Sequence, residues 1–151
     1  MPATILAIAD AVAAVLNGAT FSQTFTAERV YVPIYELKEA DGLKVFVVPR
    51  DLAPTILTRS SDDYTYNISI GILKRYGSGP MTLDDINAAC DPLVMLSEEI
   101  VDVLRSDAAQ EQIPASYFAI TNAPVYDPKM HDEKKLFISL IVATYKKRRA
   151  R

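Results

Sequence analysis

The chain has 151 residues, enough for one domain (1–151) with a substantial core. Half of them are hydrophobic and 23% are charged, which excludes wholesale disorder, and no apolar run approaches the ~20 residues of a membrane-spanning helix. The net charge of −3 is unevenly spread, because Lys146, Lys147, Arg148, Arg149 and Arg151 crowd the end of the chain while the acidic residues are scattered. Such a basic tail (146–151) either contacts phosphate or an acidic partner, or keeps the exposed end of a strand from pairing with a stray edge.

The opening PATILAIADAVAAVL has the apolar density of a secretory signal, but it lacks a positive leading region and Asp10 interrupts it. Ile5, Ile8, Val12, Val15 and Leu16 instead fall at helical spacing, which predicts an amphipathic first helix over 3–17. Asn17-Gly18 stops it, with Gly18 suited to a left-handed cap. After Phe21 and Phe25, the run RVYVPIYELK (29–38) reads as a strand that Pro33 confines to an edge or a bulge. Asp41-Gly42 predicts a hairpin turn into a short buried strand over 43–48. Residues 49–61 read as a connector with two strand fragments.

Two long strands dominate the remainder of the chain. From Asp62 to Tyr76, Tyr64, Tyr66, Ile68, Ile70 and Ile72 alternate with Thr65, Asn67, Ser69 and Gly71, and EKKLFISLIVATYKK (133–147) has the same period of two. Fifteen residues at ~3.3 Å span roughly 50 Å, whereas a compact chain of this length is about 38 Å across. The strands therefore bend sharply or overhang the core and meet another molecule. Between them, GSGP (77–80) breaks the pattern and Thr82 predicts an N-cap with Asp84 and Asp85 in the first turn. Leu83, Ile86, Cys90, Leu93, Leu96, Ile100, Val103 and Leu104 then form a helical stripe. Pro92 either kinks that helix or begins a second one capped by Asp91. Residues 106–132, with Pro114, Pro124 and Pro128, read as irregular apart from a short strand over 117–121.

The order gives an α+β domain: a mainly antiparallel sheet with long strands, flanked by two helices on one face. Phe46, Val48, Leu73, Phe137, Ile141 and Tyr145 are expected on the second face, where an apolar surface left in water would be a liability that oligomerisation cures.

Site chemistry is sparse. Cys90, the single cysteine, forbids an internal disulfide or a cysteine cluster, fits a reducing compartment and reads as a structural thiol. The single histidine, His131, lies in DPKMHD, where Asp127 and Asp132 would complete a metal site only if the loop gathered them; a solvated loop histidine is the simpler reading. No phosphate-loop, Rossmann, nucleophile-elbow or zinc-helix pattern occurs. The pairs Asp62-Asp63, Asp84-Asp85 and Glu98-Glu99 suit a strand start, a helix first turn and an exposed helix face. No catalytic residue, metal or cofactor is expected.

The ordered patterns resemble a family. Phe21, Phe25, Ala27, Arg29, Tyr31, Pro33 and Leu37, then Leu43, Val45, Val47, Val48, Pro49 and Arg50, resemble the opening of small tail-completion or neck proteins of tailed bacteriophages. DDYTYNISIGILKR and LSEEIVDVL (96–104) resemble later elements of the same proteins, so the likeness spans nearly the whole chain without a catalytic signature. The resemblance implies a tail-terminator-like sheet flanked by helices and assembled as a homo-oligomeric ring, usually hexameric. It also implies a virion protein that terminates the tail tube and joins it to the head–tail connector, with DNA passing through the lumen without sequence-specific binding. The partners are then other copies, the tail tube protein and connector proteins, and no membrane. A head-side adaptor or stopper of the neck has the same outline. The long loop over 106–132 departs from the pattern and would be a docking arm.

The expected contact surfaces are the two long strands (62–76 and 133–147) and their connecting hairpin ends, with Tyr64, Tyr66, Arg75, Tyr76, Phe137, Tyr145, Lys146, Lys147, Arg148 and Arg149 as candidates. Two other readings stay open: a small enzyme using His131 or the acidic pairs, and a nucleic-acid-binding module carried by the basic tail.

Overall fold

A computed structural model describes residues 3–31, 42–77, 80–123 and 136–150. Its elements run α1 (Thr4–Gly18), β1 (Ala27–Arg29), β2 (Lys44–Ile56), β3 (Ser61–Arg75), α2 (Leu83–Arg105), α3 (Asp107–Gln112), β4 (Ser116–Asn122) and β5 (Leu136–Ala150). The strands form a five-stranded sheet in the order β1-β2-β3-β5-β4, antiparallel except where β1 runs parallel to β2. The fold is α+β, with three helices among the described residues where two were expected.

The long strands are neighbours. All fifteen residues of β3 pair with β5, from Ser61 opposite Ala150 to Arg75 opposite Leu136. One face of this ladder is apolar because β3 contributes Tyr66, Ile68, Ile70 and Ile72 while β5 contributes Phe137, Ile141, Ala143 and Tyr145. Against it pack Ile8, Val12, Val15 and Leu16 of α1, Leu93, Leu96, Ile100 and Leu104 of α2, and Ala109 and Ile113 around α3. Each large side chain buried there contributes roughly 1.5–3 kcal/mol.

Phe137, Ile141 and Tyr145 thus lie on the helix side and not on the second face. Period two fixes which residues of β5 share a face, but the ladder to β3 decides which face that is. The second face holds a small cluster of Phe46, Leu73 and Leu136 with Val30, Val48 and Ile138. Farther along it is polar: Thr144 Oγ1 donates to Asn67 Oδ1 at 2.7 Å, and Asn67 Nδ2 donates to Asp51 Oδ1 at 2.5 Å. A hydrogen-bonded row crossing three strands is no apolar liability, so this part of the second face gives no reason of its own to oligomerise.

Local chemistry explains the element ends. Gly18 is the last residue of α1 and takes no left-handed conformation; Ala19 turns the chain extended instead. Asn17 then holds β1 in place, its Nδ2 donating to the Ala27 carbonyl at 3.1 Å and its Oδ1 accepting from the Ala27 N–H at 2.7 Å. α2 begins in a capping box, with Thr82 Oγ1 accepting from the Asp85 N–H and Asp85 Oδ2 accepting from the Thr82 N–H. It continues through Pro92 as one helix, not two. Proline removes one helical hydrogen bond there, and its own carbonyl accepts from Gln23 Nε2 at 3.1 Å. Ser106 closes α2 and opens α3, because its N–H and Oγ both donate to the Val103 carbonyl while Oγ accepts from the Ala109 N–H.

Three further expectations change. β1 takes the outer side of Val45–Val47 in parallel, and β3 takes the inner side. Of the strand expected over 29–38 only Arg29 is in β1, since Val30 and Tyr31 belong to no strand; 32–41, which carry the rest of the expected hairpin, lie outside the described residues. Residues 49–56 are not a connector but the second half of β2, paired with β3 as far as Ile56 opposite Asp62. Among the described residues β2 has no outer neighbour beyond Val47, an edge position that tolerates Pro49 and Pro54, and Pro49 adjoins a register shift. In place of an irregular arm, residues 107–122 form α3 and β4, which pack onto the core; 124–132 lie outside the described residues.

Candidate interaction surface

The helix layer covers only part of the sheet. Along the β3–β5 ladder, the outermost rung whose helix-side residues are both buried is Tyr66 opposite Tyr145. Five further rungs, from Thr65–Lys146 to Ser61–Ala150, run past it, an overhang of ~16 Å at the usual rise of a strand. β2 accompanies them with Ala53–Ile56, opposite residues 65 to 62 and exposed throughout, and β5 ends with Lys147–Ala150 exposed. The tip is closed by a Thr58-based turn: Thr58 Oγ1 accepts from the Ser60 and Ser61 N–H groups, and the Thr58 N–H donates to the Ser61 carbonyl at 3.1 Å.

Register assigns the tip residues to faces. Leu52, Pro54 and Ile56 stand opposite Tyr66, Tyr64 and Asp62, and Tyr64 and Asp62 stand opposite Lys147 and Arg149. These continue the helix-side face beyond the helices. An aromatic series runs out along it. Tyr117 meets Tyr145 edge-on at 6.5 Å, Tyr64 stacks on Tyr66 at 6.0 Å, and the Arg149 guanidinium lies 4.7 Å from the Tyr64 ring centre. Leu52 and Ile56 remain 47% and 76% exposed beside it. The opposite face carries Asp63, Lys146 and Arg148, with the Lys146 ammonium 3.9 Å from the centre of the exposed Phe118 ring.

β4 begins at Ser116, opposite Lys146, whereas β5 runs on to Ala150. The step makes a notch of about 590 Å³ lined by Asp63, Ile113, Ala115, Ser116, Lys146, Lys147 and Arg148.

The predicted site residues separate into three groups. Tyr64, Lys146, Lys147, Arg148 and Arg149 meet at the tip. Arg75 and Tyr76 lie at the opposite end, eleven ladder positions from Tyr64, or ~36 Å, beside a groove of about 290 Å³ against Pro92 and Leu93. Tyr66, Phe137 and Tyr145 are buried inside the subunit at 1%, 1% and 0% exposure, so they form core rather than contact surface. The alternation that makes them conspicuous is the signature of a covered face. Burial, with the Tyr117 ring alongside, pushes the Tyr145 phenol well above its ordinary range. Among the described residues neither the Tyr66 nor the Tyr145 hydroxyl has a hydrogen-bond partner.

Leu52, Ile56 and Arg50 escape the sequence reading as surface residues because two prolines disguise their strand, although Leu52, Pro54 and Ile56 already alternate, and Arg59 lies in the turn that follows. Cys90 is half-buried on α2, and burial with the Asp91 charge raises its thiol, which disfavours the thiolate. His131, Asp127 and Asp132 lie outside the described residues. Among the described residues no three His, Cys, Asp or Glu side chains gather as a metal site would require, and no helix is long and apolar enough to cross a membrane. Compared with known proteins, the chain matches no family model and no curated sequence.

Proposed function

We propose that this chain is a structural virion protein of a tailed bacteriophage neck. Copies associate head to tail into a closed ring, six in number by the resemblance, that terminates the tail tube and joins it to the head–tail connector. Its partners are neighbouring copies, the tail tube protein and the connector proteins, and DNA passes through the lumen without being read in sequence. The observation that carries this reading is the tip: three strands with apolar, aromatic and cationic side chains extend beyond the helices that cover the rest of that face. An overhang of this kind costs exposed apolar area in an isolated subunit and is covered when a neighbour docks on it. The ordered sequence likeness to neck proteins supplies the biological setting.

The reading calls for heterologous contacts, the same around the circle. Light scattering on the eluting protein, paired with electron microscopy of the chain mixed with isolated tail tubes, tests it. Closed rings, free or seated on tube ends, are expected. A monodisperse monomer at high concentration, with bare tube ends in the mixture, would refute it.

A further inference from the structure

The helix-side face of the tip begins where its own helix layer ends, and the molecule carries a helix face that would continue that layer. From Asp84 to Glu111 there are eight acidic residues and Arg105 as the single cation. On α2, Asp84, Ala88, Asp91, Met95, Glu98 and Asp102 are exposed at helical spacing and form one outward stripe. Met95 is 56% exposed at its centre. Glu98 and Asp102 are like charges four residues apart, an arrangement that destabilises an isolated helix, and none of these carboxylates has an ion pair among the described residues. The tip has the opposite character. On its helix-side face Lys147 and Arg149 outnumber Asp62, in a chain whose net charge is −3.

Dimensions agree as well as charge. Asp91 to Asp102 spans ~16 Å of helix, matching the ~16 Å overhang of the tip. Each surface has an apolar middle, Met95 and Ala88 on the helix and Leu52, Ile56 and Tyr64 on the tip, with charge of opposite sign alongside. Edge-to-edge strand pairing is the weaker alternative at β2, because Pro49 and Pro54 supply no donors to a strand docking there.

From this complementarity we propose that the outward stripe of α2 in a second copy docks on the helix-side face of the tip, extending the helix layer across the subunit boundary. Lys147 and Arg149 face the carboxylates of Asp91, Glu98 and Asp102, and Leu52 and Ile56 pack on Met95. This deepens the ring reading and rests on it, since a tip-to-helix contact is heterologous and repeats around a circle.

Charge exchange in the full-length chain tests it, followed by sedimentation velocity. Wild type is expected to associate, with affinity falling as salt rises from ~0.1 M to ~1 M and the screening length drops from about 10 Å to about 3 Å. K147E/R149E and D91K/E98K should each weaken association at least about tenfold. An equimolar mixture of the two variants should recover it, because each then meets its complement. K146E/R148E, on the other face, should leave association unchanged. The milder K147A/R149A and D91A/E98A guard against a charge reversal that disturbs folding, which circular dichroism reports.

Wild-type assembly indifferent to both exchanges overturns this contact and leaves the ring reading standing. A monomeric wild type that forms no ring on tail tubes overturns both. Equal loss with K146E/R148E overturns the choice of face. If the exchanges abolish salt-sensitive binding to duplex DNA while association persists, the tip is a nucleic-acid surface and this proposal is wrong.

Discussion

Replacing Tyr145 by phenylalanine should stabilise this protein, although it removes a polar group from the buried face of the sheet. Tyr145 is fully buried, Tyr66 stands opposite it in register at 1% exposure, and neither hydroxyl has a partner among the described residues. A buried hydroxyl without a hydrogen bond costs roughly 1–3 kcal/mol. Phenylalanine keeps the ring, and with it the edge contact to Tyr117 at 6.5 Å. The void left by one oxygen offsets part of the gain, which leaves a net of about 1 kcal/mol per site. That corresponds to ~2–4 °C in Tm for a chain of this size. The Tyr66→Phe/Tyr145→Phe pair should gain less than the sum, because the residues are in contact.

A second limb of the same experiment is alkaline. The Tyr145 phenol is raised in the folded state, so both states hold the proton below the unfolded value near 10. Above it the unfolded chain releases the proton first, and stability falls with pH by up to ~1.4 kcal/mol per unit until the folded group also titrates. Tyr145→Phe should flatten that limb. Urea unfolding at neutral pH and again above pH ~10 measures both effects. A Phe variant destabilised by more than about 1 kcal/mol, with the alkaline slope unchanged, would refute the reasoning and mean that the hydroxyl is well satisfied.

Local geometry sets the other expectations. Thr82→Ala breaks the capping box of α2 and should cost ~1 kcal/mol by thermal unfolding; no loss would mean that the first turn frays in the native protein. Pro92→Ala restores a donor inside α2 and should stabilise, by up to ~3 kcal/mol, unless the Gln23 contact to its carbonyl depends on the proline. Asn17→Ala removes both bonds to Ala27 and should cost ~1–3 kcal/mol, with amide exchange accelerating first in β1. Ile70→Ala, fully buried at the middle of the sheet, should cost ~2–5 kcal/mol in a denaturant titration.

How much of the fold is readable in the chain depends on how directly local chemistry speaks. α1, the Thr82 cap and the long β3 run are legible because spacing and capping are local properties. The face of β5 is not, since only its pairing with β3 decides whether Phe137 and Tyr145 look toward the helices or away from them. β2 is half hidden, because Pro49 and Pro54 mimic a loop until the edge position that tolerates them is known. α3 is one and a half turns long, too short for periodicity to mark, and Ser106 alone announces it. The overhang is legible as a length but not in its character: it is a mixed surface of Leu52, Ile56 and Tyr64 among cations, not a plain apolar one. Tyr66 and Tyr145 look like contact residues in the sequence because an interface and a core ask for the same alternation.

The most direct measurement is a cryo-electron map of the assembled neck at a resolution that traces strands. The account predicts this chain in a closed ring at the head-proximal end of the tail tube, with the 50–65 and 146–150 tip of each copy covered by α2 of the next. A ring whose tips stand free in solvent, or a neck in which this chain has no place, would contradict it.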